Sequence, residues 1–203
     1  INTYDRITLI FDNGVMGSGG TNFTYFIDDI NLFRDGDPIP ECNSNYTGKN
    51  PSTSTYELIW NDEFDNDGVL CYKNWTYDLG TGSQGWGNWE AQTYTNRDKN
   101  VKVENGNLLI TAIKEGNNYT SARIKTQQLF SFTYGKIEVR AKLPKSSGTW
   151  PAIWLLGSNN PEVSWPASGE IDIVEQFQDK TINRSTAHWE NDGNHAEYGR
   201  DAV

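Results

Sequence analysis

From Gly135 to Leu143 the chain alternates charged and apolar residues: Lys136, Glu138, Arg140 and Lys142 fall on one face of an extended strand. Ile137, Val139, Ala141 and Leu143 fall on the other. A period of two permits a half-buried strand and excludes an amphipathic helix. No stretch holds a convincing 3.6-residue apolar period, and strand-like runs recur at Tyr56–Trp60 and Asn107–Lys114. The fold class expected is all-β.

A second strand-like segment breaks its own alternation. In Gly169-Glu170-Ile171-Asp172-Ile173-Val174-Glu175, Glu170 and Asp172 share one face and Ile171 and Ile173 the other. Strict alternation turns Glu175 into the core. One extra residue, a β-bulge near Ile173 or Val174, returns Glu175 to the face of Glu170 and Asp172. Three carboxyls on one face repel one another, so their pKa values spread apart. A retaining glycosidase needs that condition, with one ionised carboxylate to attack the sugar and one protonated to release the leaving group. Without its flanks, the same segment also reads as an acidic, solvent-facing strand of a sandwich.

The flanks decide between these readings. Upstream stand Gly148-Thr149-Trp150-Pro151-Ala152-Ile153-Trp154-Leu155-Leu156-Gly157 and Trp165-Pro166-Ala167-Ser168-Gly169, with Gly85-Trp86-Gly87-Asn88-Trp89-Glu90 and Tyr134–Pro144 further back. In this order they resemble glycoside hydrolase family 16, nearest its laminarinase-like members, from about Tyr56 to Val203. The spacing of the carboxylates is the longer of the family's two forms. The resemblance implies a β-jelly-roll sandwich, concanavalin A-like, with an open cleft on the concave sheet.

It also implies roles. Glu170 is expected as nucleophile, Glu175 as general acid and then base, and Asp172 between them as hydrogen-bond partner of the nucleophile. The order of roles rests on the family, because the spacing is nearly symmetric between the two glutamates. Trp165 matches a tryptophan lining the subsite of the reacting sugar. Trp150 is expected in the cleft, and Trp154 stands open between cleft and core. Asn88 and Arg123 match positions that hydrogen-bond glucan hydroxyls, although each alone reads as structural. Glu90 reads as a support that orients its neighbours. His188 matches a cleft histidine, against the plainer reading of a histidine that only satisfies backbone. Trp60, Trp75 and Trp189 read as core or surface packing.

Other chemistries find little support. His195 reads as a loop residue, and two isolated histidines with two cysteines offer no catalytic zinc constellation. No Gly-x-Ser-x-Gly elbow presents a serine nucleophile. No cofactor is expected. A structural calcium ion, which many family members hold through carbonyl oxygens and a late Asp, is left open. The net charge of −10 argues against nucleic acid and anionic membranes, and favours a neutral β-glucan over sulfated or carboxylated glycans. No apolar run reaches membrane-spanning length. A monomer is expected, and the resemblance places it outside the cell. Whether Cys42 and Cys71 pair is left open by spacing alone.

Composition divides the chain. Residues 1–36 hold two strand-like runs, Ile7–Phe11 and Thr24–Phe33, around a Gly-rich turn from Gly14 to Gly20. They resemble the end of a β-sandwich carbohydrate-binding module, or else form an N-terminal hairpin of the larger unit. Residues 37–55 turn to Asp, Pro, Asn, Ser, Thr and Gly and read as a linker. Residues 56–203 form the hydrolase unit, expected to be incomplete at the C-terminus because the family carries further strands. The function expected is endo-acting, retaining hydrolysis of β-1,3-glucan. Its alternatives are mixed-linkage glucan or agar as substrate, or a glucan-binding module without catalysis.

Overall fold

The computed structural model defines residues 4–10 and 22–33 as strands by backbone pairing, and residues 58–177 and 181–202 in full. In chain order the strands are β1 (Tyr4–Ile10), β2 (Asn22–Phe33), β3 (Leu58–Asp62), β4 (Thr76–Asp78), β5 (Gln92–Tyr94), β6 (Val101–Val103) and β7 (Leu108–Glu115). There follow β8 (Asn118–Ser121), β9 (Arg123–Lys125), β10 (Lys136–Lys142), β11 (Ala152–Gly157), β12 (Glu170–Glu175), β13 (Asn183–Asn191) and β14 (Asn194–Ala202). The fold is an all-β jelly-roll sandwich. Sheet one runs β14-β13-β12-β11-β1-β9-β4, and sheet two runs β10-β2-β7-β8-β5 with β3 on β2 and β6 on β7. Strands β5 and β8 pair in parallel.

The core lies between the sheets. Ile59 and Trp60 of β3 and Leu108, Ile110 and Ala112 of β7 come from sheet two, and Ile124, Ile153 and Leu155 from sheet one. Trp60 and Trp75 are core residues, packed edge to face with ring centroids 5.6 Å apart. Truncating a buried tryptophan of this kind to alanine costs about 3–5 kcal/mol. Asp62 anchors the loop beneath them, accepting from the Phe64 amide, the Asn74 amide group and the Trp75 indole. Asn74, which opens an Asn-x-Thr sequon with Trp75 and Thr76, is buried and committed to Asp62, so it is not an accessible glycan acceptor.

The alternation read in Gly135–Leu143 is kept in β10, where Ile137 and Val139 turn to the core with Leu143 just beyond, while Ala141 stays exposed. The two N-terminal runs pair into the sandwich. Strand β1 lies between β11 and β9, and β2 pairs with β3, β7 and β10. The Gly14–Gly20 turn, the expected linker and Cys42 lie outside the described residues. Cys71 is disulfide-bonded. No helix among the described residues is long and apolar enough to cross a membrane.

Candidate active site

Strand β11 is buried along its whole length because both of its faces are covered. Ile153 and Leu155 enter the main core, while Ala152, Trp154 and Leu156 form a second apolar cluster with Tyr94 and Trp86 on the outer face of sheet one. Strand β12 lies beside it. Ile153 pairs with Val174 and Trp154 with Asp172, so the ladder skips Ile173. The same slip recurs against β13, where Asp172 faces Thr186 and Glu175 faces Arg184. Ile173 is therefore the bulged residue, and its carbonyl accepts a hydrogen bond from the Ser185 hydroxyl at 2.7 Å. Ile171, Ile173 and Val174 pack on the core, and Glu170, Asp172 and Glu175 all line one outer cleft.

That cleft has a volume of about 670 Å³. All nine residues expected in the site line it: Glu170, Asp172, Glu175, Asn88, Arg123, Trp150, Trp154, Trp165 and His188. Trp154, which the sequence left between cleft and core, is 7% exposed and forms part of the cleft floor. The Arg123 guanidinium lies over the rings of Trp86 and Trp154, 4.7 and 5.0 Å from their centroids, and pairs with Asp78 at 2.9 Å. Cation–π contact and the ion pair fix it at the base of the site.

Asn88 sits on an irregular turn, Gly85–Trp89, where Trp86 and Gly87 have left-handed backbones. Gly85, at φ +57, abuts the Glu90 backbone so closely that a Cβ would meet Glu90 N at 2.5 Å. Glu90 is buried and accepts from Tyr94 at 2.9 Å, Gln92 at 2.5 Å and Asn88 at 3.4 Å. It holds the Asn88 amide from behind, the supporting role its position implied.

Trp165 arrives on the loop between β11 and β12. Gly157 opens that loop against the Ser168 carbonyl, which would lie 2.0 Å from an added Cβ. The close approach folds the loop back, and the Trp165 indole donates to Glu170. Trp150 donates from its indole to Glu175 Oε1 at 2.9 Å.

The three carboxyls differ electrostatically. Burial pushes Asp172 up to about 9, and the charges of Glu170 and Glu175 add to the rise. Burial also raises Glu170, to about 7, against the opposing hydrogen bond from Asp172. Glu175 is raised by burial too, opposed by the Trp150 hydrogen bond and the Arg184 charge. Of the hydrogen-bonded pair Glu170 and Asp172, Asp172 holds a proton more strongly, so it donates and Glu170 ionises first. His188 Nε2 lies 3.0 Å from Asp172 Oδ2, and burial lowers the histidine's pKa. Neutral His188 closes the hydrogen-bond chain without adding a charge.

Sequence reasoning missed Trp86 as a cleft residue, along with Phe177, Arg184, His195 and Glu197. Trp86 stood inside a quoted motif, and its signal was available. Arg184 and Glu197 reach the cleft only through the register of β13 and β14, which no local pattern encodes. His195, read as a loop residue, lies on β14, because the Asp192–Gly193 turn closes the hairpin in two residues with positive φ at both.

Residues 81–202 match the family described as "XgeA-like, catalytic GH16 domain". The chain is 48% identical over 126 residues to a beta-glucanase of Rhodothermus marinus, covering 59% of this chain and 43% of that protein. It is 43% identical over 152 residues to the clotting factor G alpha subunit of Tachypleus tridentatus, covering 72% of this chain and 22% of that one. Its fold is similar to the crystal structure of laminarinase from Flavobacterium sp. UMI-01, with a TM-score of 0.62, 46% identity, and coverage of 70% of this chain and 64% of that chain. The chain thus spans less than half the length of these two curated relatives.

Proposed function

The chain belongs to glycoside hydrolase family 16, and from that premise we propose that it hydrolyses β-1,3-glucan internally, with retention of anomeric configuration, outside the cell. The observation that carries this reading is the bulge at Ile173, which turns Glu170, Asp172 and Glu175 into one tryptophan-lined cleft. Glu170 attacks the anomeric carbon as Glu175 passes its proton to the departing glycosidic oxygen. Glu175 then takes a proton from the water that displaces Glu170 from the covalent glycosyl-enzyme. Asp172, protonated, steadies the ionised Glu170 between turnovers and limits how far its charge is quenched by burial.

The cleft's acidic groups, with Glu197 added to the three of β12, and the net charge of −10 favour a neutral glucan. Flat rings at Trp86, Trp154 and Trp165 suit the apolar faces of glucose units. The disulfide at Cys71 supports an oxidising, extracellular compartment. The test is parallel hydrolysis of laminarin, lichenan and agarose, with the anomer of the first-formed product read by polarimetry. Laminarin is expected to react fastest and to release the β-anomer. Preference for agarose overturns the substrate, and a first-formed α-anomer overturns the mechanism.

A further inference from the structure

The β13–β14 hairpin brings the chain's two histidines together, although seven positions separate them. Its register sets His188 opposite Glu197, and His195 lies two residues before Glu197 on the same face of β14. His188 Nδ1 and His195 Nε2 are 3.0 Å apart, and Glu197 Oε2 lies 3.5 Å from the first and 3.8 Å from the second. A triangle with these sides is circumscribed at a radius of about 2.0 Å, the bond length from zinc to imidazole nitrogen or carboxylate oxygen. One ion can therefore reach all three donors with almost no rearrangement.

The surroundings of His188 point the same way. Its other ring nitrogen, Nε2, faces Asp172 Oδ2 at 3.0 Å. Donation of N–H to that carboxyl leaves the Nδ1 lone pair turned toward His195 and Glu197. An oxygen acceptor behind a ligating imidazole, which fixes its tautomer and orientation, is the usual outer support of a zinc-bound histidine. Two imidazoles and one carboxylate suit a borderline-soft divalent transition ion, whereas calcium and magnesium prefer more oxygen donors.

We propose that His188, His195 and Glu197 form a binding site for a divalent transition-metal ion of the zinc type, with a fourth position open to the cleft. Both imidazoles lie tilted against Trp165, with ring centroids 6.0 and 4.7 Å away. An ion held there occupies space beside the reacting sugar and locks His188 in place. Resting on the glycosidase reading above, the consequence is reversible inhibition.

Calorimetric titration of the chain with zinc sulfate, without substrate, tests the site. One saturable zinc per chain is expected, with affinity weakened on the order of a hundredfold in His195→Ala and by a smaller factor in Glu197→Gln. Circular dichroism checks that both variants fold. Cobalt(II) added to the unaltered chain reads the ligand set without substitution, and the intense visible bands of tetrahedral cobalt are expected. The pale spectrum of hydrated cobalt, or equal zinc affinity in His195→Ala, overturns the site. Zinc binding is measured apart from hydrolysis, so failure of the glucan reading leaves it standing. Undiminished laminarin turnover at saturating zinc overturns the inhibitory consequence.

Discussion

Asp172 is only 3% exposed and lies between two glutamates, so its proton is held on folding. Its ordinary value of 3.8 rises to about 9, and the folded state binds protons more strongly than the unfolded chain between those limits. Stability from this group is fully present below the unfolded value and is lost as pH rises toward the folded one. The melting temperature of Asp172→Asn relative to the parent is therefore expected to climb between about pH 5 and 9. A difference that stays flat across that range would contradict the burial argument. For the glutamates, Glu170→Ser is expected to reduce turnover by on the order of 10⁴-fold while largely sparing glucan binding. Azide added to Glu175→Ala, with a substrate bearing a good leaving group, should yield a β-glycosyl azide, and an α-azide would reverse the roles. All nine expected residues were legible because each sits in a short motif or on one strand. Arg184 and Glu197 were not, since they enter the cleft from strands whose pairing is decided over long range.

At the scale of the element, β12 combines two demands in six residues. Its apolar residues face the sandwich core and its carboxyls face the cleft, and only the bulge at Ile173 reconciles them. Deleting Ile173 and Val174 together puts Glu175 three positions after Glu170, an odd spacing that turns it toward the core. A buried carboxyl without a partner is expected to cost about 3 kcal/mol or more, read as a lowered melting temperature with loss of hydrolysis. Deleting Ile173 instead leaves Glu170, Asp172 and Glu175 at alternate positions of a regular strand, so the variant should fold and keep all three in the cleft. A double-deletion variant that melts like the parent would show that β12 is not held by its register. The bulge was legible because a carboxylate at the fifth position cannot face a core. The hairpin face of His195 was hidden, because Asp192-Gly193-Asn194 reads as loop until the two-residue turn is seen.

For the whole molecule, the N-terminal strands raise the largest structural question. Composition sets residues 1–36 apart as the remnant of a binding module, yet β1 bridges β11 and β9 while β2 joins β7 to β10 and β3. Removing residues 1–33 takes an interior strand out of each sheet. The shortened chain is expected to lose its cooperative thermal transition, followed by near-ultraviolet circular dichroism. A transition as sharp as the parent's, at the same temperature, would place the domain boundary where composition draws it. That β1 and β2 are strands could be read from their apolar runs. Their neighbours could not, because sheet order depends on contacts distant in sequence.

Only two histidines occur in the chain, and both line the cleft. Every imidazole resonance in a nitrogen-15 NMR spectrum therefore originates there, with no assignment against a background of surface histidines. The ring nitrogens of His188 should report the tautomer with Nε2–H directed at Asp172, and should stay neutral further into acid than an exposed histidine because burial lowers its pKa. A glucan entering the cleft would shift both sets of signals, so the protein carries its own site-specific probe of occupancy.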